Sequence, residues 1–134
     1  MVRTAMSSRQ KILILDPSPI FRNTLKEVIQ TTQPHVDIDE AGDAEQAENI
    51  LSQRPVDAVF LDIALPGNNG IPFIGRIKRL VPRACIVVLS SHDSAEYKEA
   101  SIQKGADYFI SKDRSGGLRL LDVIDEAIRG REIA

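Results

Sequence analysis

Four side chains with chemistry to offer stand at the ends of apolar runs. Asp16 closes KILILD, Asp62 closes VDAVFLD, Ser90 follows ACIVVL and Lys112 follows YFIS. They are 46, 28 and 22 residues apart in turn, so only a fold can bring them together. Two carboxylates are hard oxygen ligands of the kind Mg²⁺ takes alongside waters and a phosphate. A carboxylate is also a nucleophile that can form an aspartyl phosphate. An ammonium and a hydroxyl beside it would hold the phosphoryl oxygens. The chemistry these residues suggest is phosphoryl transfer to an aspartate. Taken singly, each has a plainer reading: a strand-end Asp is most often a helix or turn cap, and a lone Ser or Lys says less. Their shared position, each ending a buried strand, carries the proposal.

The elements that must position them follow from hydrophobic pattern. Lys11–Asp16, Val56–Asp62 and Ala84–Leu89 are continuous apolar runs, as in strands covered on both faces. Val36–Ala41 alternates and reads as a half-exposed edge strand, and Tyr108–Ser111 as a short last strand. Between them lie helical stripes. Phe21, Leu25, Val28 and Ile29 share one face of a first helix, N-capped by Ser18 with Pro19 in its first position. Asp43, with Gln46, opens a second helix that buries Ala44, Ala47, Ile50 and Leu51. Leu65–Gly70 is loop by composition. A third helix over about 71–80 uses Phe73, Ile74, Ile77 and Leu80. A fourth, capped by Asp93 and closed by Gly105, carries Tyr97, Ala100 and Ser101. The last, over about 118–129, buries Leu121, Ile124, Ala127 and Ile128. Five strands alternating with five helices predict an α/β fold, a parallel sheet with helices on both faces. Such sheets bind ligands beyond the carboxyl ends of their strands, where the four residues sit.

Composition excludes other classes. The chain has 134 residues, room for one domain. Hydrophobic residues are 43% and charged residues 27%, globular values that rule out disorder and fibres. A net charge of −2 gives no general pull toward nucleic acid or anionic lipid. Aromatics at 4% and no Trp argue against base-stacking surfaces. The single cysteine, Cys85, makes neither an internal disulfide nor a Cys-rich metal site and reads as a buried small hydrophobe. MVRTAMSSRQ has no apolar segment of a secretory signal. No apolar run approaches the ~18 residues that span a bilayer. The expectation is a soluble cytoplasmic domain at 11–130, between a flexible tail at 1–10 and a short tail at 131–134.

The segments KILILDPS, VFLDIALPGNNG, IVVLSSHD and GADYFISKD, with their spacing, resemble the receiver domain of two-component response regulators. The resemblance runs from about Lys11 to Arg129. It implies a three-layer, doubly wound (βα)5 sandwich with strand order 2-1-3-4-5. It implies that Asp62 is the phosphoacceptor, attacking a phosphohistidine on a histidine kinase or phosphotransfer protein. Mg²⁺ would be held by Asp16, Asp62 and the backbone carbonyl of Ala64. Ser90 matches the switch hydroxyl that closes on the new phosphoryl group. Lys112 matches the lysine that pairs with the acceptor. Phe109 matches the aromatic that turns inward when the hydroxyl moves, although plain strand core also accounts for it. Ala64 and His92 stand at positions that tune autodephosphorylation, while an exposed loop histidine also accounts for His92; His35 reads only as a loop residue. The resemblance further implies a downstream protein target or a fused output domain. It implies no direct nucleic-acid or membrane binding by these residues, and no enzymatic role beyond the domain's own phosphorylation and dephosphorylation.

Three positions depart from the family pattern. Pro17 replaces the second of two adjacent acids, which removes a carboxylate and predicts weakened Mg²⁺ affinity. Asp113 follows Lys112 where a proline, often cis, is common; a cis bond before a non-proline costs about 3 kcal/mol. Asn69 stands where an acid is frequent. Pro17 keeps a second function open: a pseudo-receiver that binds partners without efficient phosphorylation. A flavodoxin-like cofactor binder is disfavoured, because the prolines of Asp-Pro-Ser-Pro offer no N–H to a phosphate. A haloacid-dehalogenase-like phosphatase is disfavoured too, because Ser18 stands where its second acid belongs.

Overall fold

The computed structural model describes residues 9–92, 94–113 and 117–133. Ten elements alternate along them: β1 (Lys11–Leu15), α1 (Pro19–Thr32), β2 (Asp37–Ala41), α2 (Ala44–Gln53), β3 (Ala58–Leu61), α3 (Gly70–Leu80), β4 (Cys85–Ser90), α4 (Ala95–Lys104), β5 (Tyr108–Ser111) and α5 (Gly117–Ile133). The five strands form one parallel sheet in the order β2-β1-β3-β4-β5, as expected. The expected tail at 1–10 lies outside the described residues up to position 8. Arg9 and Gln10 run alongside β2: the Arg9 guanidinium bonds Asp37, and the Gln10 carbonyl accepts the Asp37 N–H.

Alternation along the strands divides the core into two layers. Leu13, Leu15, Val59, Leu61, Ile86 and Val88 face α2 and α3, meeting Ala47, Leu51, Ile74 and Ile77. Ile12, Ile14, Phe60, Val87 and Leu89 face the other way, against Leu25 and Ile29 of α1 and Val123, Ile124 and Ala127 of α5. Burial on both faces explains why the central strands are continuous apolar runs. Cys85 is among these buried residues.

Local chemistry sets the helix ends. Ser18 Oγ accepts the Phe21 N–H at 3.1 Å, and Pro19 takes the first helical position. Asp43 accepts the Gln46 N–H at 2.9 Å, while the Gln46 side chain accepts from Gly42 at 2.8 Å. α4 departs from expectation: Ser94 is its cap, accepting the Tyr97 N–H at 3.3 Å, whereas Asp93 lies outside the described residues. Gly105 closes α4 at φ 122°, a conformation side chains other than glycine resist. α5 also differs. Val123 is buried, and Leu121 is 41% exposed. At about 100° per residue, Leu121 lies roughly a quarter turn from the centre of the arc formed by Val123, Ile124, Ala127 and Ile128. The Leu65–Gly70 loop contains more order than its composition indicates. Ala64–Leu65 pairs antiparallel with Asn68–Asn69 across a Pro66-Gly67 turn, with Gly67 at φ 70°.

β5 is tied to α5 by the Tyr108 phenol, which donates to Glu126 Oε1 at 2.6 Å. That hydrogen bond, with some burial, raises the Tyr108 pKa from 10.0 to about 12. Because the folded value lies above the unfolded one, this contribution to stability is intact below 10.0 and is lost as pH rises through about 12. In a Tyr97→Phe variant Tyr108 is the only tyrosine, and its phenolate absorbance is expected to rise near 12 rather than 10.0. Adding Glu126→Gln should bring that transition down.

Candidate functional site

Register places the acids. Leu15 pairs with Leu61, and the ladder continues one step further, with the Asp62 N–H donating to the Leu15 carbonyl at 2.9 Å. Asp16 and Asp62 therefore emerge side by side from adjacent central strands. Ser90 pairs with Ser111, and Lys112 follows on the edge strand, its N–H bonded to the Ser90 carbonyl. At ~4.8 Å per strand, Asp62 is about 10 Å from the Lys112 backbone, a gap that needs a long side chain to cross.

Lys112 crosses it. Its ammonium lies 2.7 Å from Asp16 Oδ2 and 2.8 Å from Asp62 Oδ2. The two carboxylates are only 3% and 8% exposed, and the lysine side chain 17%. Burial lowers the pKa of the ammonium, but its hydrogen bonds to Asp16 and Asp62 outweigh that and hold the pKa above the usual 10.5. The remaining oxygens are also met: Asp16 Oδ1 accepts the Ser18 N–H at 2.8 Å, and Asp62 Oδ1 accepts the Ala64 N–H at 2.9 Å. The peptide bond between Lys112 and Asp113 is trans.

Two carboxylates against one ammonium leave one uncompensated negative charge in a buried cluster. Their oxygens are hard donors, so the residues fit a small divalent cation. Among the described residues no group of three or more His, Cys, Asp or Glu side chains is placed to hold a metal. Pro17 offers no third donor, because it is exposed and carries no oxygen on its side chain.

The other expected residues stand on or just beyond β3, β4 and β5. Ser90 is fully buried, and its Oγ accepts the His92 N–H at 2.9 Å. Val88 pairs with Phe109, so alternation puts Ser90 and Phe109 on the same face of the sheet. Phe109 is already packed into the layer beneath α2 and α3, 6% exposed. His92 is exposed, as expected, with its ring edge-to-face on Tyr97 at 5.7 Å. Ala64 meets the centre through its backbone.

Sequence reasoning did not assign three residues to the site. The Phe21 ring lies 4.0 Å from the Lys112 ammonium. Arg22 donates to the Asp16 carbonyl and pairs with Glu40 at 3.1 Å. Both sit in the first turns of α1, five and six positions after Asp16, where a helix entering from the acid turn brings side chains back over it; that spacing was the available signal. Gly70 packs on the backbone between Asp62 and Ala64: a Cβ there would lie 2.7 Å from Ile63 Cα. Its N–H bonds the Ile63 carbonyl at 2.7 Å.

A doubly wound parallel sheet with a lysine-bridged acid pair at its carboxyl edge defines the class, a receiver fold. A family model described as the response regulator receiver domain matches residues 12–124, and the chain belongs to that family. It is 33% identical over 101 residues to the fimbriae Z protein of Escherichia coli, covering 75% of this chain and 48% of that protein. It is 33% identical over 135 residues to a protein-glutamate methylesterase/protein-glutamine glutaminase of Agrobacterium fabrum, covering 96% of this chain and 38% of that one. The chain thus spans about half or less of these relatives. The signal receiver domain of an HD domain-containing protein from Pseudomonas fluorescens shares the fold, with TM-score 0.81 and 24% identity over 94% of this chain and 99% of that one. Among the described residues no helix is long and apolar enough to cross a membrane.

Gly70→Ala is expected to destabilise the domain by about 1–3 kcal/mol, because the Ile63 backbone must move. Denaturant unfolding would measure it, and an unchanged midpoint would mean that the segment after Asp62 yields freely.

Proposed function

We propose that this receiver accepts a phosphoryl group on Asp62 from a phosphohistidine of a histidine kinase or phosphotransfer protein, and signals through a changed protein-binding surface. The observation that carries the proposal is the Lys112 ammonium 2.8 Å from Asp62 Oδ2 in a site nearly closed to water. An Asp62 oxygen attacks phosphorus, the phosphorus–nitrogen bond breaks, and the imidazole leaves with the bonding electrons and takes up a proton. Lys112 then holds a phosphoryl oxygen, in a site where such a contact is strong. Asp16, Asp62 and the Ala64 carbonyl are the residues that would hold Mg²⁺. When bound, the ion would neutralise charge on the transferring group.

The acyl phosphate carries a charge of about −1.5 to −2 in place of the single charge of the Asp62 carboxylate, so the negative excess of the cluster grows. In this reading Ser90 gives up the His92 N–H and closes on the phosphoryl group, and Phe109 follows on the same face. Ala64 and His92, at the positions that tune autodephosphorylation in receivers, set how readily water reaches the acceptor. The domain acts in the cytoplasm on a downstream protein or a fused output domain; it is a phosphoacceptor and catalyses nothing beyond its own turnover.

Pro17 favours a second reading, a pseudo-receiver that binds partners with little phosphorylation. Acetyl phosphate and intact-mass measurement separate the two, with Mg²⁺ or with a chelator and with Asp62→Ala as control. A phosphoryl mass gain that requires both Mg²⁺ and Asp62 is the expected outcome. No gain at saturating donor and Mg²⁺ would favour the pseudo-receiver.

A further inference from the structure

We infer that Phe21 is a positioning residue that holds the Lys112 ammonium on the acid pair, and so sets how readily a divalent cation gains Asp16 and Asp62. The inference rests on the metal-binding reading of that pair and extends it to the group the cation meets there. Among the described residues three groups are placed against the ammonium: Asp16 Oδ2 at 2.7 Å, Asp62 Oδ2 at 2.8 Å and the Phe21 ring at 4.0 Å from its centroid. The other two carboxylate oxygens accept the Ser18 and Ala64 N–H groups. All four oxygens thus have a donor already. An ion that binds through the Oδ2 atoms meets the Lys112 ammonium there, and residue 17, a proline, adds no ligand in compensation.

The ring is well placed to hold the ammonium there. Phe21 sits in the first turn of α1, where its N–H bonds Ser18 Oγ, and its side chain is partly buried against the layer of α1 and α5. An aromatic face attracts a cation more strongly as water is removed, and the Lys112 side chain is only 17% exposed. Leucine at this position would keep the apolar packing and lose the π face. Tyrosine would keep both.

Binding of Mn²⁺ to the full chain, followed by the paramagnetic resonance of the free ion, tests this. Phe21→Leu is expected to bind roughly two- to fivefold tighter than wild type, with Phe21→Tyr close to wild type. Lys112→Met, which leaves both Oδ2 atoms uncovered, should bind about tenfold tighter or more. Asp16→Asn should abolish the binding and so locate the ion. Circular dichroism checks that each variant is folded; if Lys112→Met is not, the comparison of Leu with Tyr at position 21 carries the test. Equal, saturable binding by wild type, Phe21→Leu and Phe21→Tyr would overturn the inference and leave the acid pair standing as a metal site. No binding by any variant, Lys112→Met included, would overturn the metal reading and the inference with it.

Discussion

Two carboxylates taken out of water side by side repel each other and lose their hydration, and a cation between them offsets both costs. Here that cation is Lys112, bonded to one oxygen of each acid while backbone N–H groups meet the other two. The arrangement ties together three strands, β1, β3 and β5, at the end of the sheet where parallel pairing leaves them free. It also makes the site responsive. A lysine shared between two acids can be drawn toward a stronger anion, and a phosphoryl group on Asp62 would be one.

The surroundings keep that balance in place. Phe21 covers the ammonium, and Arg22 fixes the peptide after Asp16 while its charge is taken up by Glu40. Gly70 lets α3 begin directly against the segment that follows Asp62, with no side chain in the way. Phe21, Arg22 and Gly70 come from the first turns of helices that start at the carboxyl edge of the sheet. The doubly wound fold thus brings the helix entrances and the acids to one edge. The site is supported by elements whose own cores lie on both faces of the sheet.

Pro17 is the departure from the family's pattern that bears most directly on the acid pair. A second acid at that position would add charge and a ligand to a site that already carries an excess negative charge. Proline removes both, and its exposed ring leaves the lysine as the principal counter-charge of the pair. The adjoining Ser18 and Pro19 still open α1 as they would in any well-capped helix, so the substitution changes the electrostatics of the site without disturbing the frame.

Strand and helix order, the buried runs and the Ser18, Asp43 and Gly105 helix ends were legible in the sequence, because each depends on local pattern: continuous apolarity, a stripe of period 3.6, a capping side chain beside its amide. The four strand-end residues were legible for the same reason. Leu121 misled because it lies at the margin of its helical stripe, and Ser94 because two adjacent residues can each cap. What tertiary structure alone decided was contact between distant side chains. That Lys112 touches both acids, that Phe21 lies over its ammonium rather than serving only as core, and that Gly70 must lack a Cβ follow from strand register and helix entry angle. Neither is written in the residues near any one of them, since each depends on how the whole sheet brings its far-separated ends together.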